Sequence, residues 1–251
     1  MKDQIMYHTA LFSKLSIFGI FLWHFILTGP SIIWHGLASL YHRIHSVPPV
    51  IPTLSNKDVI VFVHGRGGHH SNFNTLMSNL KRHLSHELIA IDLGHNQYTT
   101  IDTDVSVLSA AMKSLENCRI TLIGLSKGGL TAMRYATTMK DPRIRNIITI
   151  SSPLHGTLAT KFLISSCMAN KELGYKSELT QEIAANISDN YNIYHIVPRY
   201  DHIIIPTSST YYNTTIKDRI YRYEGYYSHL GISHNSNIAK VIVSWLVNNG
   251  Y

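Results

Sequence analysis

The residues of this chain whose types and spacing most directly indicate chemistry are those at 124–128, a Gly-x-Ser-x-Gly pattern centred on Ser126. The pattern comes directly after an apolar run that ends at Leu122, and a helical segment follows it. This order of strand, sharp turn and helix is that of a nucleophile elbow, in which the turn exposes the serine hydroxyl. Glycines on both sides of the serine let the strand and the helix approach each other closely. The pattern therefore predicts that Ser126 is a nucleophile that attacks a substrate carbonyl.

A second glycine-rich turn, His-Gly-Arg-Gly-Gly at 64–68, stands upstream of the serine. It follows the uninterrupted apolar run 59–63, which indicates a parallel strand buried on both faces. Attack by a serine creates an oxyanion, which needs preorganised hydrogen-bond donors in a site shielded from water. We predict that these donors are the backbone N–H groups of Arg66 and of Lys127, the residue after the nucleophile. The glycine spacing fits neither a P-loop nor a dinucleotide-binding loop.

Residues 61–68, with Asn72 and Phe73 after them, resemble the oxyanion segment of the α/β-hydrolase superfamily, and within it of the small bacterial triacylglycerol lipases. The run 147–157 also resembles the Pro…His-Gly segment of lipases and of the related inositol-deacylase-like hydrolases. The resemblance extends over residues 58–247, most of the chain. It implies a serine hydrolase fold that acts on acyl esters, and it leaves the substrate open.

The acid of a Ser-His-acid triad is expected between the serine and the histidine in this fold. Asp201 lies in the turn after the strand-like run 191–197, and the resemblance implies that this turn carries the acid. Asp201 would orient the imidazole and stabilise the imidazolium that forms as the serine loses its proton. Asp189 and Asp218 are less suitably placed, before this strand and at the start of the next. Glu224 in the last strand is the alternative acid, and a solvated turn residue is the other interpretation of Asp201.

Two histidines follow the last strand-like run, 218–225, and precede the C-terminal helical segment. His229 has the loop position that the lipase pattern implies for the base. His234 lies nearer the helix start and is the alternative. An imidazole with an ordinary pKa of about 6.5 can accept the serine proton and return it to the leaving group.

Strands and helices alternate along the chain, which predicts an α/β-hydrolase fold, a mostly parallel sheet of about six strands with helices on both faces, preceded by a hydrophobic N-terminal helical segment. The carboxyl ends of such strands would bring the predicted site residues together. The segment 158–190 is the one insertion, expected to form either a short lid or a helix that covers the core. Strands are expected at 58–64, 87–92, 119–125, 146–151, 191–197 and 218–225, and helices at 71–84, 103–116, 127–139 and 237–249.

Residues 1–52 differ in composition from residues 53–251, which we predict to be the catalytic domain. The apolar run 11–34 is long enough for a membrane helix of about twenty residues. Trp23 and Trp34 suit a membrane interface, and no signal-peptide cleavage pattern follows closely. We expect a membrane anchor or interfacial helix, with a helical hairpin packed on the core as the alternative.

Composition sets the outer limits of the interpretation. The chain has 251 residues and a net charge of +7 with histidine taken as neutral, and its basic residues are dispersed rather than gathered in a nucleic-acid stripe. This charge agrees with work beside anionic lipid and is also explained by general solubility. Two cysteines provide no disulfide framework. No cofactor is expected, and the histidines near the oxyanion turn lack the spacing of a metal site. The two cysteines are Cys118 and Cys167, and the three histidines near the oxyanion turn are His64, His69 and His70.

The combined expectation is a membrane-associated serine hydrolase of the lipase or carboxylesterase type that acts through an acyl-enzyme. Its partners would be a lipid or other acyl-ester substrate and a membrane surface, with no nucleic acid. A thioesterase, amidase or acyltransferase on the same residues is the alternative enzyme. A non-catalytic binding module, or a scaffold whose function lies in residues 1–50, are the alternatives of a different class.

Overall fold

The computed structural model describes most of residues 49–248 and five N-terminal residues that are helical and exposed. The described ranges are 49–94, 99–162, 167–188, 190–212, 219–225, 229 and 231–248, with Gly19, Leu22, Ile26, Leu37 and Tyr41. Most of the segment 1–52, predicted as an N-terminal hydrophobic unit, lies outside the described residues. The division of the chain at residue 52 therefore stays a prediction.

The described strands are β1 Leu54–Ser55, β2 Asp58–Val63, β3 Glu87–Ile91, β4 Leu115–Glu116, β5 Arg119–Leu125, β6 Ile144–Ile150, β7 Asn192–Pro198 and β8 Ile220–Tyr223. Six of them form one parallel sheet in the order β3-β2-β5-β6-β7-β8. A two-residue pair, β1 with β4, lies outside it. Because both faces of the sheet are covered, the central strands β2, β5 and β6 are buried along nearly their whole length.

Helices cover both faces of this sheet, and alternate residues of β2 show the division. Val61 packs in one core with the helices that begin at Ile101, Lys127 and Glu178. Phe62 packs in the other core with the helices that begin at Asn74 and Ser236. Both side chains are fully buried. The expected fold class, a parallel sheet between two helical layers, is confirmed. The helices are α1 Asn74–Leu80, α2 Ile101–Met112, α3 Lys127–Met139, α4 Met168–Glu172, α5 Glu178–Ala185 and α6 Ser236–Asn248.

Several element boundaries differ from those expected. The helix expected at 71–84 is a 3-10 turn, His70–Phe73, followed by the shorter α1. Helix α2 begins two residues earlier than expected because Thr100 caps it, its hydroxyl accepting the Thr103 N–H at 3.2 Å. It ends before β4, where Leu115 pairs with Leu54 and is buried. The hydrophobic period does not reveal such caps and short pairings.

The described part of the insertion 158–190 packs against the body of the domain. Leu173 and Ile183 are buried in the same core as α3. The insertion is also tied to α2, because the Glu172 carboxylate accepts the Ile101 N–H at 2.8 Å. Burial raises the pKa of the Glu172 carboxyl above its usual value. These contacts fit the expectation of a helical cover over the core for this part of the insertion.

Within the described residues, no helix has both the length and the apolar character needed to cross a membrane. The predicted anchor at 11–34 falls almost wholly outside those residues. The membrane association of this segment therefore stays a prediction.

Candidate active site

Ser126 lies at the junction of β5 and α3 in a backbone conformation that non-glycine residues rarely adopt, with φ 56° and ψ −125°. The close approach of strand and helix explains the flanking glycines. A Cβ on Gly128 would collide with the main-chain oxygens of Val63 and His64, and one on Gly124 would collide with the backbone of Gly129. The tight turn therefore depends on the Gly-x-Ser-x-Gly pattern, as expected of a nucleophile elbow.

The hydroxyl of Ser126 begins a chain of hydrogen bonds that runs through an imidazole to a carboxylate. His229 Nε2 lies 2.7 Å from Ser126 Oγ, and His229 Nδ1 lies 2.8 Å from Asp201 Oδ2. His229 is 2% exposed and Asp201 is 0% exposed, so water competes little for these bonds. The structure thus brings together the three residues that the sequence predicted for the triad.

Asp201 is held as an anion in spite of its burial. Burial alone would raise the pKa of its carboxyl, but the charge of His229 and hydrogen bonds from His229 and Ser151 lower it to about 2. The other carboxylate oxygen accepts the backbone N–H groups of Ile203 at 2.8 Å and Ile204 at 2.9 Å. A carboxylate so fixed can hold the imidazole in one orientation and stabilise its cationic form.

Ser151, at the end of β6, is a member of this site that the sequence analysis did not predict. Its hydroxyl donates to Asp201 Oδ2 and lies 3.0 Å from His229 Nδ1. Its backbone has a φ of 47°. Ser151 directly follows the strand between β5 and β7, which carry Ser126 and Asp201 on their following loops. The signal in the sequence is the Ser-Ser-Pro turn after β6, which belongs to the segment that resembles lipases.

The two residues predicted to supply oxyanion donors lie on either side of Ser126. Lys127 is the first residue of α3, where backbone N–H groups lack intrahelical partners. Arg66 lies in the turn formed as Gly68 N–H donates to Gly65 O at 3.0 Å. Gly65 lies against the serine: a Cβ there would be 2.8 Å from Ser126 Cβ. The assignment of the oxyanion donors stays a prediction that these positions favour.

The side chain of Lys127 has a second role, which the sequence analysis did not address. Its ammonium is 3% exposed and forms an ion pair with Asp104 at 2.8 Å. It also donates to Thr99 Oγ1 at 3.0 Å. The pair joins the start of α3, next to the nucleophile, to the first turn of α2. The Arg66 guanidinium similarly donates to Asn170 on α4, which links the oxyanion turn to the insertion.

The alternative acid and base lie elsewhere. Glu224 follows β8, is exposed, and forms an ion pair with Arg199 at 2.9 Å. His234 lies in the 3-10 turn Ile232–His234, and its Nδ1 is 3.5 Å from Ser233 Oγ. In the described part of the chain, His229 is thus the candidate base that contacts Ser126, and Asp201 is the candidate acid that contacts His229.

Side chains of the types that can bind metal ions also occur near this site. In the described part of the chain, His69, His70 and Asp92 are close enough to share one ion. They lie beside the oxyanion turn and are separate from the hydrogen-bonded chain of Ser126, His229 and Asp201. The arrangement at Ser126 provides an imidazole that can take the serine proton and a buried carboxylate behind that imidazole, with the predicted oxyanion donors nearby.

Comparison with known proteins gives a family match and one curated relative. Residues 59–200 match the model of the palmitoyl protein thioesterase family. The sn-1-specific diacylglycerol lipase ABHD11 of Danio rerio is 27% identical over 137 residues. That alignment covers 52% of this chain and 43% of the relative, so the chain spans less than half the length of the curated protein that it matches.

Solved structures share the fold at low sequence identity. The lipase B of Aspergillus fumigatus aligns with a TM-score of 0.59 and 14% identity, over 73% of this chain and 50% of that one. The monoacylglycerol lipase of Paleococcus ferrophilus aligns with a TM-score of 0.58 and 19% identity, over 76% of this chain and 95% of that one. At these identities the likeness establishes the α/β-hydrolase architecture.

Proposed function

The chain belongs to the palmitoyl protein thioesterase family, and on that premise we propose that it cleaves carboxylic esters of lipids through Ser126, His229 and Asp201. The family and fold make it a lipase-like α/β-hydrolase. The observation that carries the catalytic proposal is the 2.7 Å contact of Ser126 Oγ with His229 Nε2, continued by the 2.8 Å contact of Nδ1 with Asp201.

The proposed reaction has two halves. In the first, His229 Nε2 takes the Ser126 proton as Oγ attacks the ester carbonyl, and the amides of Arg66 and Lys127 stabilise the oxyanion. The tetrahedral intermediate collapses as His229 gives the proton to the departing alcohol. The product of this half is an acyl-enzyme on Ser126. In the second half, His229 Nε2 takes a proton from water as the water oxygen attacks the acyl carbonyl. The imidazolium then gives this proton to Ser126 Oγ as the acyl–oxygen bond breaks, which releases the fatty acid and free Ser126.

The proposed substrate lies at a membrane surface. The support for this is the apolar run 11–34, the net charge of +7 and the exposure of two apolar helical residues in that run, Leu22 at 45% and Ile26 at 59%. Cationic proteins are attracted to anionic lipid, and exposed apolar side chains gain free energy by insertion at the interface. These features favour a lipid ester over a fully soluble ester.

A thioester is the second candidate substrate, because the description of the matched family favours it. A thiol has a pKa of about 8.5 and leaves without much help from a general acid, unlike an alcohol. The same three residues would therefore serve both reactions. Matched oxygen and sulfur esters of one acyl chain, compared by kcat/KM, distinguish the two candidates.

The first test is intact-mass labelling of the detergent-solubilised protein with a fluorophosphonate. We expect one adduct on the wild type and on Ser106→Ala, which alters an exposed serine, and none on Ser126→Ala. We also expect Ser126→Ala to lower kcat/KM for a lipid ester by at least about ten-thousand-fold. An adduct that persists in Ser126→Ala would contradict the proposed nucleophile, and a folded wild type that takes no label would favour a binding module or a scaffold.

A further inference from the structure

The loops after β2 and β3 bring three potential metal ligands together. His69 and His70 follow the oxyanion turn, and Asp92 is the first residue after β3. Strands β2 and β3 are parallel, with Val63 opposite Ile91, so both loops leave the sheet at the same edge. One ligand atom from each of the three side chains lies within 4.8 Å of the other two. We propose that His69, His70 and Asp92 bind one Zn²⁺ ion.

The donor set matches the chemistry of zinc. Two imidazole nitrogens and one carboxylate oxygen are ligands that Zn²⁺ takes at about 2.0–2.2 Å, with water in the fourth position of a tetrahedral site. Bonds of that length separate two ligand atoms by about 3.4 Å. The three ligand atoms lie within 4.8 Å of one another, so the proposal requires the side chains to move closer together when the ion binds. Hard cations such as Mg²⁺ and Ca²⁺ prefer oxygen ligands, so the two histidines disfavour them.

The first histidine is already held in place. His69 Nδ1 lies 2.8 Å from Ser71 Oγ and accepts the Ser71 N–H at 3.2 Å. The His69 backbone N–H donates to Asn72 Oδ1 at 2.6 Å, which fixes the main chain at the same point. The His69 and His70 rings lie with their centroids 3.9 Å apart. Ligands fixed by neighbouring hydrogen bonds lose little conformational freedom on metal binding.

The carboxylate is also held in place by its own loop. Asp92 Oδ1 accepts the Gly94 N–H at 2.9 Å and lies 3.7 Å from His64 Nε2. The Asp92 side chain is 14% exposed, so the loop after β3 holds it largely buried beside the two histidines. A carboxylate positioned by neighbouring contacts loses little conformational freedom when it binds a cation.

The proposed ion would act as a structural clamp. It would join the two residues directly after the oxyanion turn to the loop after β3, and so restrain the turn that carries Arg66. None of the three proposed zinc ligands belongs to the hydrogen-bonded series of Ser126, His229 and Asp201. Zinc binding therefore does not depend on the proposed acyl chemistry, and the two proposals fail or succeed separately.

The test is zinc binding by the untagged, full-length protein after removal of metal with EDTA. Equilibrium dialysis against ZnCl₂, with bound zinc measured by elemental analysis, should give one Zn²⁺ per chain above any weak background. The double variant His70→Ala/Asp92→Asn should lose this site, with an affinity lowered by more than about 100-fold. Free zinc at a hundred times Kd should raise the Tm of the wild type by roughly 5 °C, and should not do so in the double variant.

Two variants serve as controls. His83→Ala, which removes an exposed histidine, should bind zinc as the wild type does, and so should Ser126→Ala. No saturable uptake by the wild type, or equal uptake by the double variant, would overturn the proposal. If the double variant does not unfold cooperatively, Co²⁺ binding to the wild type decides the matter. Intense visible absorption from a four-coordinate ion supports the site, and the weak spectrum of a six-coordinate ion refutes it.

Discussion

Ser151 Oγ lies between two members of the candidate triad, as a donor to Asp201 and 3.0 Å from His229 Nδ1. Among the described contacts, Ser151 Oγ reaches the carboxylate and the imidazole rather than Ser126 Oγ, so its effect acts through Asp201 and His229. A hydrogen bond to a charged group contributes about 1.5–3 kcal/mol. We therefore interpret Ser151 as a positioning residue.

We expect Ser151→Ala to lower kcat by about tenfold or more with little change in KM, since the loss falls on the orientation of His229. Steady-state kinetics with one ester would measure both constants. Ser152→Ala is the matched control, since this buried serine donates only to main-chain oxygens, at 3.3 and 3.4 Å. An equal effect of the two substitutions would contradict the positioning role.

The depressed pKa of Asp201 makes a prediction about stability. Because the pKa of Asp201 is about 2 in the folded protein, against the ordinary aspartate value of 3.8 in the unfolded chain, ionised Asp201 stabilises the fold above pH 4. This contribution, about 2 kcal/mol in total, is lost as the pH falls from about 4 towards 2. The difference in unfolding free energy between the wild type and Asp201→Asn should shrink by about 1 kcal/mol between pH 6 and pH 3. Urea unfolding at the two pH values measures it, and a constant difference would contradict it.

The sequence predicted those site residues whose order along the chain is set by the fold. Ser126, Asp201 and His229 could be located because each follows a recognisable strand and the fold sets their succession. Ser151 could not be located in this way. Its contacts depend on the position of β6 between β5 and β7, and no local pattern encodes which strands are neighbours.

At the scale of the elements, the buried pair of Lys127 and Asp104 joins helices α3 and α2 next to the nucleophile. Both side chains are 3% exposed, so removal of one leaves the other as an unpaired buried charge. Such a loss costs about 3–5 kcal/mol, more than the same change at an exposed pair. The ion pair therefore fixes the first turn of α3, where the predicted oxyanion amide lies.

Asp104→Asn should lower the free energy of unfolding by about 3 kcal/mol or more, measured by urea denaturation. Asp58→Asn is the control, because Asp58 pairs with Arg119, whose side chain is 54% exposed, and its loss should cost less than about 1 kcal/mol. Equal losses of unfolding free energy in the two variants would show that the buried ion pair contributes no more to stability than the exposed one.

The sequence predicted the six main strands within a few residues, because each is rich in apolar, β-branched or aromatic residues and lies between turns. It did not predict β1 and β4, which are two residues long, nor the Thr100 cap that sets the start of α2. Elements of this size are too short to show a periodic pattern of hydrophobic residues. Their existence depends on tertiary contacts, such as the pairing of Leu54 with Leu115.

At the scale of the whole molecule, the proposed membrane association can be tested without removing any segment. Leu22→Glu/Ile26→Glu in the full-length chain should reduce binding to anionic vesicles by at least tenfold, because it places two charges on an apolar surface. Cosedimentation with phosphatidylserine-containing vesicles measures the bound fraction. Met139→Glu at the end of α3, where the side chain is 51% exposed, is the matched control and should leave binding nearly unchanged. Equal loss in both variants would indicate a general charge effect instead.

The strand order also has a consequence for how the chain reaches its native state. No two neighbours in the six-stranded sheet are joined by a hairpin: every pairing is parallel and needs a crossover connection. Even the nearest partners in sequence, β5 and β6, are separated by residues 126–143, and the whole helix α3 must form between them. Bringing residues that are distant in sequence together costs loop-closure entropy before their contacts stabilise the chain. Refolding is therefore expected to be slow compared with that of a helical bundle. During that interval the apolar strands that form the core lie open to other chains, so the yield of refolded enzyme should fall as protein concentration rises.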